Sequence, residues 1–245
     1  MSRILFLGLG SVGTRHLRVL RDLDVPHEII AYRSGLGQPF DTEVDVVEYD
    51  ELGPALASEP DVAFVTNPTH RHVESAIACA EAGCHLFIEK PLSDSMDRVD
   101  ELLSVVDERE LVTMMGCQLR YDPVLSRTKE LLEDEFGPVY SFRAESGSYL
   151  PDWRPRRDYR DSYSAKEDQG GGVVLDLIHE IDYIHWLFDG VDVATAETGQ
   201  VSHLEIETED VAEIVLETRK SAIGTVHLDY FRPVPRRTFE IVGPD

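Results

Sequence analysis

Five runs in the first half of the chain are apolar almost without interruption: residues 4–7, 29–32, 62–65, 86–88 and 111–115. Strands buried on both faces of a parallel sheet have this pattern, whereas a strand with one wet face alternates. Between the runs, apolar residues recur at helical spacing. Thr69 can cap a helix carrying Val73, Ala76, Ile77 and Ala80 toward a left-handed terminator at Gly83, and Ser93 opens a second one with Val99, Leu102, Leu103 and Val106. Strands alternating with helices predict a doubly wound parallel sheet, with its ligand crevice beyond the carboxyl ends of the strands.

The texture changes near residue 118. Pro123 can start a helix ending near Gly137, and residues 139–146, 211–218, 222–231 and 238–242 alternate as strands of a mainly antiparallel sheet do. The chain is therefore expected to hold an N-terminal α/β Rossmann domain, 1–118, and a C-terminal α+β domain, 119–245. Gly147 and Gly172 bracket a polar, aromatic-rich loop, long enough to be a lid or a binding segment. The end at Gly243-Pro244-Asp245 reads as a turn into another strand, and a sheet stopping there would expose an unpaired edge, so truncation is expected.

Composition narrows the function classes. The net charge of −24 argues against nucleic acid and anionic membranes, which need clustered Lys and Arg. Only Lys90, Lys129, Lys166 and Lys220 are lysines among 23 basic residues, against 47 acidic ones, a texture suited to salt-loaded cytoplasm. At ~1 M salt the Debye length is ~3 Å, so surface carboxylates barely repel one another or an anionic cofactor. Cys79, Cys84 and Cys117 lack Cys-x-x-Cys spacing, which implies a reducing compartment and core packing. No run approaches the ~18 apolar residues of a membrane span, and a cytoplasmic location is expected.

Three motifs carry chemistry. Gly8-Leu9-Gly10-Ser11-Val12-Gly13 joins the first strand to a helix: Gly8 for the tight turn, Gly10 for approach of a pyrophosphate, Gly13 for helix-strand packing, with Ser11 and Val12 at the helix start facing the phosphates. An acidic residue at the end of the second strand would bond the ribose of NAD. Here stands Arg33-Ser34, which tilts the choice toward NADP through a 2′-phosphate, with a surface arginine beside bound NAD nearly as good a reading.

Glu89-Lys90-Pro91 follows a strand at the crevice edge. A lysine there can donate to a substrate oxygen, and the proline fixes a bend, with the cis form open. The third motif starts at Gly170-Gly171-Gly172 and includes Asp176, His179 and Asp182. If residues from Val173 onward are helical, these three share a face, and a carboxylate beside the imidazole favours its charged form. An amphipathic helix with a structural histidine is the plain alternative. His70 and His72 do not share a helix face and no third ligand is evident, so no metal is expected.

Together and in this order, these motifs resemble the glucose-fructose oxidoreductase, inositol dehydrogenase and MocA family. Asn67-Pro68 with His72, and Arg120 with Tyr121 and Pro123, extend the match over essentially the whole chain. The resemblance implies NAD(P)-dependent hydride transfer at a sugar, cyclitol or nucleotide-sugar carbon. It implies homo-oligomerisation through the C-terminal sheet, with Lys90, Asp176 and His179 as catalytic residues and Asn67, Pro68, His72 and Glu89 near the cofactor. Two residues, not the usual three, separate Asp176 from His179, which resembles a branch reading Asp-x-x-His-Glu-x-Asp. Trp153, Arg154 and Tyr163, with Arg120 and Tyr121, are the candidate substrate contacts: arginines to grip an anionic group, aromatics to stack on a sugar face. The rival readings are a non-catalytic dinucleotide sensor of the same fold, and a methyltransferase or flavoprotein sharing only the Rossmann half.

Overall fold

The computed structural model describes residues 2–23, 27–35, 45–155 and 157–244; Asp245, the last residue of the expected turn, lies outside them. The chain divides into two compact units, Met1–Gly116 and Cys117–Asp245.

The first unit is a six-stranded, all-parallel sheet of β1 (Ser2–Leu7), β2 (His27–Tyr32), β3 (Val46–Tyr49), β4 (Val62–Val65), β5 (His85–Ile88) and β6 (Thr113–Met115), in the order β3-β2-β1-β4-β5-β6. Leu5, Leu7, Ala63 and Val65 are wholly buried, as the unbroken apolar runs require. The order reverses direction between β1 and β4, which opens a crevice at their carboxyl ends. Strand β3 was absent from the expectation because Val46–Tyr49 sits at the sheet edge, where Val47 is 52% exposed and no apolar run is needed.

Helices α1 (Ser11–Asp22), α2 (Leu52–Ala57), α3 (His72–Glu81) and α4 (Val99–Glu108) connect the strands. A single 3-10 turn, Thr69–Arg71, precedes α3, and Gly83 takes φ +89° beyond it. Ser93 does not start α4; the helix begins at Val99, after Arg98 in the left-handed region. Cys79 and Cys84 are buried in this unit.

The second unit has a five-stranded sheet of β7 (Ser141–Gly147), β8 (Val191–Gly199), β9 (Val211–Thr218), β10 (Ile223–Asp229) and β11 (Arg236–Val242), in the order β11-β7-β10-β9-β8. Three of its pairings are antiparallel and the central β7–β10 pairing is parallel, so the sheet is mixed. Strand β8 escaped prediction because almost every residue in it is exposed, which leaves no alternation to read. One face packs on α5 (Pro123–Asp134), α6 (Val173–Asp176) and α7 (His179–Leu187) through Phe142, Tyr183, Ile184 and Leu216. Asp122 caps α5, accepting from the Val124 and Leu125 amides.

The helix expected to run unbroken from Val173 is two helices. Leu177 and Ile178 form a turn between them, so Asp176 and His179 are not successive positions of one continuous helix. The glycine run before them answers two separate demands. A Cβ on Gly171 would stand 2.3 Å from the Tyr163 carbonyl, and Gly172 takes φ +110° with its Cβ position 2.4 Å from the Glu209 carboxylate. Glu209 in turn accepts from the Val174 amide at 3.1 Å, satisfying a donor at the start of α6.

Candidate functional site

In the first unit the crevice is floored by the glycine motif. Gly8 takes φ +93°, and a Cβ at Gly13 would lie 2.5 Å from the Gly8 carbonyl and 2.8 Å from Thr66 Oγ1. Gly13 is thus the position where α1 presses on the β1 turn and the β4 end. A Cβ at Gly10 meets nothing within 4 Å, and no side chain caps α1, whose first residues Ser11 and Val12 are exposed. Open space beside an uncapped helix start is what a dinucleotide pyrophosphate requires. Gly13→Ala is expected to weaken NADH binding at least tenfold and to cost about 1–3 kcal/mol of stability by overpacking. Dinucleotide titration and thermal denaturation check the two parts.

The loops after β4 and β5 are braced against each other. His72, 2% exposed, sets Nδ1 2.7 Å from the Pro91 carbonyl and Nε2 2.8 Å from the Asn67 carbonyl. Burial pushes the imidazole below its ordinary value, and the two carbonyls oppose that. With both nitrogens engaged, His72 braces the two loops. Asn67 donates to Ser75 Oγ at 2.7 Å while its buried Oδ1 has no hydrogen-bond partner among the described residues, an acceptor left for a ligand. Pro68 is exposed beside it.

Glu89 behaves like His72. Its Oε1 lies 2.5 Å from His16 Nε2 of α1 and its Oε2 accepts from the Lys90 amide at 3.1 Å, while Gly116 leaves the room the carboxylate occupies. Glu89 therefore anchors the Lys90 segment. The Lys90-Pro91 bond is cis, the form left open by the sequence. Arg33 is half-buried and binds Glu48 of β3 at 2.8 Å, so a 2′-phosphate would compete with a carboxylate for it; Ser34 is exposed.

In the second unit Asp176, 6% exposed, accepts from the Tyr163 hydroxyl at 2.6 Å on one oxygen and from the Tyr230 hydroxyl at 2.6 Å on the other. Burial, then the Asp176 charge, pushes both phenols well above their ordinary value, so they stay protonated donors. The 3-10 turn Gln118–Tyr121 grips α7 at two points: Gln118 Nε2 lies 3.1 Å from His179 Nε2, and Arg120 forks onto Asp182 at 3.0 and 2.5 Å. Arg120 and Asp182 thus hold each other, with the Arg120 side chain still 40% exposed. Tyr121 is 70% exposed.

Trp153 donates to Ser148 Oγ at 2.7 Å and stands edge-on to Tyr230, and the Arg154 guanidinium lies 5.4 Å from the Tyr163 ring centroid. The loop between Gly147 and Gly172 is a chain of 3-10 turns pinned by the Glu205 amide to the Tyr159 hydroxyl and by Thr208 Oγ1 to the Ser164 carbonyl. Gln118, Tyr230 and Glu209 were not anticipated. Each lies far along the chain from its partner, and a single polar residue in a strand or turn carries no periodic signal. Among the described residues no cluster of side chains could hold a metal ion and no helix is long and apolar enough to cross a membrane.

A Rossmann sheet with a glycine-lined helix start, followed by a mixed-sheet unit carrying an Asp-x-x-His turn, defines a dinucleotide-binding protein of the oxidoreductase class. Residues 2–117 match the oxidoreductase family model with an NAD-binding Rossmann fold, and residues 126–245 match the GFO/IDH/MocA C-terminal domain. The chain belongs to the GFO/IDH/MocA oxidoreductase family. It is 28% identical over 240 residues to myo-inositol 2-dehydrogenase of Thermotoga maritima, covering 91% of this chain and 67% of that protein. Over 138 residues it is 32% identical to levoglucosan dehydrogenase of Pseudarthrobacter phenanthrenivorans, covering 54% of this chain and 35% of that one. Among solved structures, GenD2 from gentamicin A biosynthesis in complex with NAD superposes with a TM-score of 0.85 at 25% identity, covering 99% of this chain and 70% of that one. The WlbA dehydrogenase of Bordetella pertussis shares the fold, with a TM-score of 0.86 at 20% identity over 99% of this chain and 71% of its own.

Proposed function

We propose that the protein is an NAD(P)-dependent dehydrogenase or reductase that moves hydride between nicotinamide and a sugar, cyclitol or nucleotide-sugar carbon. The observation that carries this reading is the fixed Asp176 carboxylate, clamped by two tyrosine hydroxyls three residues before a buried histidine. A rigid acid placed so close along the chain to an imidazole suits a step in which a hydroxyl loses its proton as the same carbon loses hydride. The nicotinamide dinucleotide would supply the hydride acceptor or donor, with its pyrophosphate against Gly10, Ser11 and Val12. His179 takes or returns the hydroxyl proton, Lys90 polarises the substrate oxygen, and Gln118 orients the imidazole through Nε2.

Because Arg33 is already paired with Glu48, either NAD or NADP can serve, and we take NAD as the default. The acid-rich, lysine-poor composition further supports work in a salt-loaded cytoplasm, and membership of the family supports a homo-oligomer formed through the C-terminal sheet. Purified protein should enhance NADH fluorescence and produce NAD(P)H with at least one member of a panel of sugars, cyclitols and nucleotide sugars at high salt. Dinucleotide binding with no turnover across the panel would favour the sensor reading instead.

A further inference from the structure

One side of the pinned segment in the second unit encloses a small pocket, lined in part by Trp153, Arg154, Arg157, Asp158, Ser162 and Ser164. Its charge runs against that of the whole protein. Acidic residues outnumber basic ones 47 to 23, and Arg3, Arg98, Arg120, Arg127, Arg232 and Arg237 are all ion-paired. Arg154 and Arg157 make no ion pair among the described residues, although acids are abundant around them. The one acid on the pocket wall, Asp158, is already closed: Arg160 bonds it through its amide at 3.0 Å, Nε at 2.9 Å and a terminal nitrogen at 2.6 Å. Arg160 also holds Glu205 at 2.6 Å, which removes it as a ligand-binding cation. The pocket is left with two uncompensated guanidiniums.

The remaining groups converge on the same space. The Arg157 amide bonds the Arg154 carbonyl at 2.9 Å, a turn that starts both side chains from one rim. The Ser164 hydroxyl, on a residue 1% exposed, has no hydrogen-bond partner among the described residues, while its carbonyl is fixed by Thr208 and Gly172. A buried hydroxyl without a partner beside unpaired arginines is costly unless a ligand completes it. The walls lead to Asp176 from both sides, since Arg154 lies over Tyr163 and Trp153 against Tyr230, the two tyrosines that clamp it.

We propose that this pocket binds an oxyanion group of the substrate, a carboxylate or a phosphate, with Arg154 as its main partner, Arg157 at the rim and the Ser164 hydroxyl donating from the floor. The inference rests on the sugar-oxidoreductase reading and narrows its substrate to acidic or phosphorylated sugars. A planar guanidinium matches either oxyanion bidentately, and a neutral sugar leaves it unpaired.

Trp153 lines the pocket and supplies a readout that needs no hydride transfer. The 245-residue chain without cofactor is titrated with glucuronate, glucose 6-phosphate, UDP-glucuronate and glucose, following tryptophan fluorescence. At least one acidic compound is expected to saturate at concentrations where glucose does nothing, and Arg154→Gln should weaken that binding tenfold or more, with Arg154→Lys intermediate. Ser164→Ala should weaken it severalfold. The order of glucuronate and glucose 6-phosphate tells carboxylate from phosphate. If no acidic compound outcompetes glucose, or Arg154→Gln binds as the wild type does, the anion site is refuted. Turnover of neutral sugars with kcat/KM unmoved by Arg154→Gln refutes the site and spares the dehydrogenase. Acid-sugar binding in a protein that turns over nothing does the reverse.

Discussion

Lys90→Met is expected to lower turnover about 10²–10⁴-fold, the range of a positioned acid-base group, while leaving dinucleotide affinity within a few-fold of the wild type. The reason for the split lies in how the segment is held. The backbone around residue 90 is fixed by groups other than its own side chain: the Glu89 carboxylate on the Lys90 amide, His16 on that carboxylate, and His72 on the Pro91 carbonyl. Methionine keeps the length of the stem and removes only the ammonium, so the loop and the glycine motif stay in place. Single-turnover kinetics together with NADH titration separate the two effects. Turnover within a few-fold of the wild type would take Lys90 out of the chemistry.

The largest stability effect is expected from Arg237→Ala. Glu180, adjacent to His179, is wholly buried, and its Oε1 accepts from Arg237 Nε at 2.7 Å while Oε2 has no hydrogen-bond partner among the described residues. Removing one partner of a buried pair leaves an uncompensated charge and costs ~3–5 kcal/mol. The Arg237 side chain is 48% exposed, so solvent screens the pair and about 2–3 kcal/mol is the better expectation. That corresponds to a fall in Tm of roughly 4–12 °C for a chain of this size.

The loss should depend on pH in a definite direction. Burial pushes the Glu180 carboxyl above its ordinary value, with Arg237 opposing. A raised acid holds its proton more tightly folded than unfolded, so its contribution is intact below the ordinary carboxylate value of ~4.3 and is lost as pH rises through the raised one. Without Arg237 the value climbs further. The variant should therefore be closest to the wild type at low pH and fall behind as pH rises toward neutrality, and adding Glu180→Gln should flatten that dependence. Thermal denaturation across pH 4–8 measures it; a constant difference in Tm would show that the carboxylate is not the cause.

The Rossmann half was legible because its inner strands β1, β2, β4 and β5 are buried and carry apolar runs, because β6 carries one too at the sheet edge, and because three glycines marked the turn into α1. Of the four edge strands, β6 and β11 kept a readable pattern, whereas β3 and β8 were not legible, since little of either is buried and the pattern burial writes is missing. Among candidate site residues, spacing pointed to Glu89 and His72 but not to the groups within the chain that hold them. The sequence shows that a carboxylate follows β5; it does not show that His16, 73 positions earlier, takes it.

By itself, then, the sequence determined the layer order of the first unit, the glycine floor of its crevice and the presence of Lys90, Asp176 and His179, because periodic burial and backbone conformation are local demands that each residue type answers in place. Which charges are consumed and which stay available was decided only by the tertiary structure. Arg33, Arg120 and Arg160 are spent on Glu48, Asp182 and Asp158, while Arg154 is not. Ion pairing depends on distances of a few ångströms between side chains, and several of the partners that settle it lie tens of residues apart along the chain.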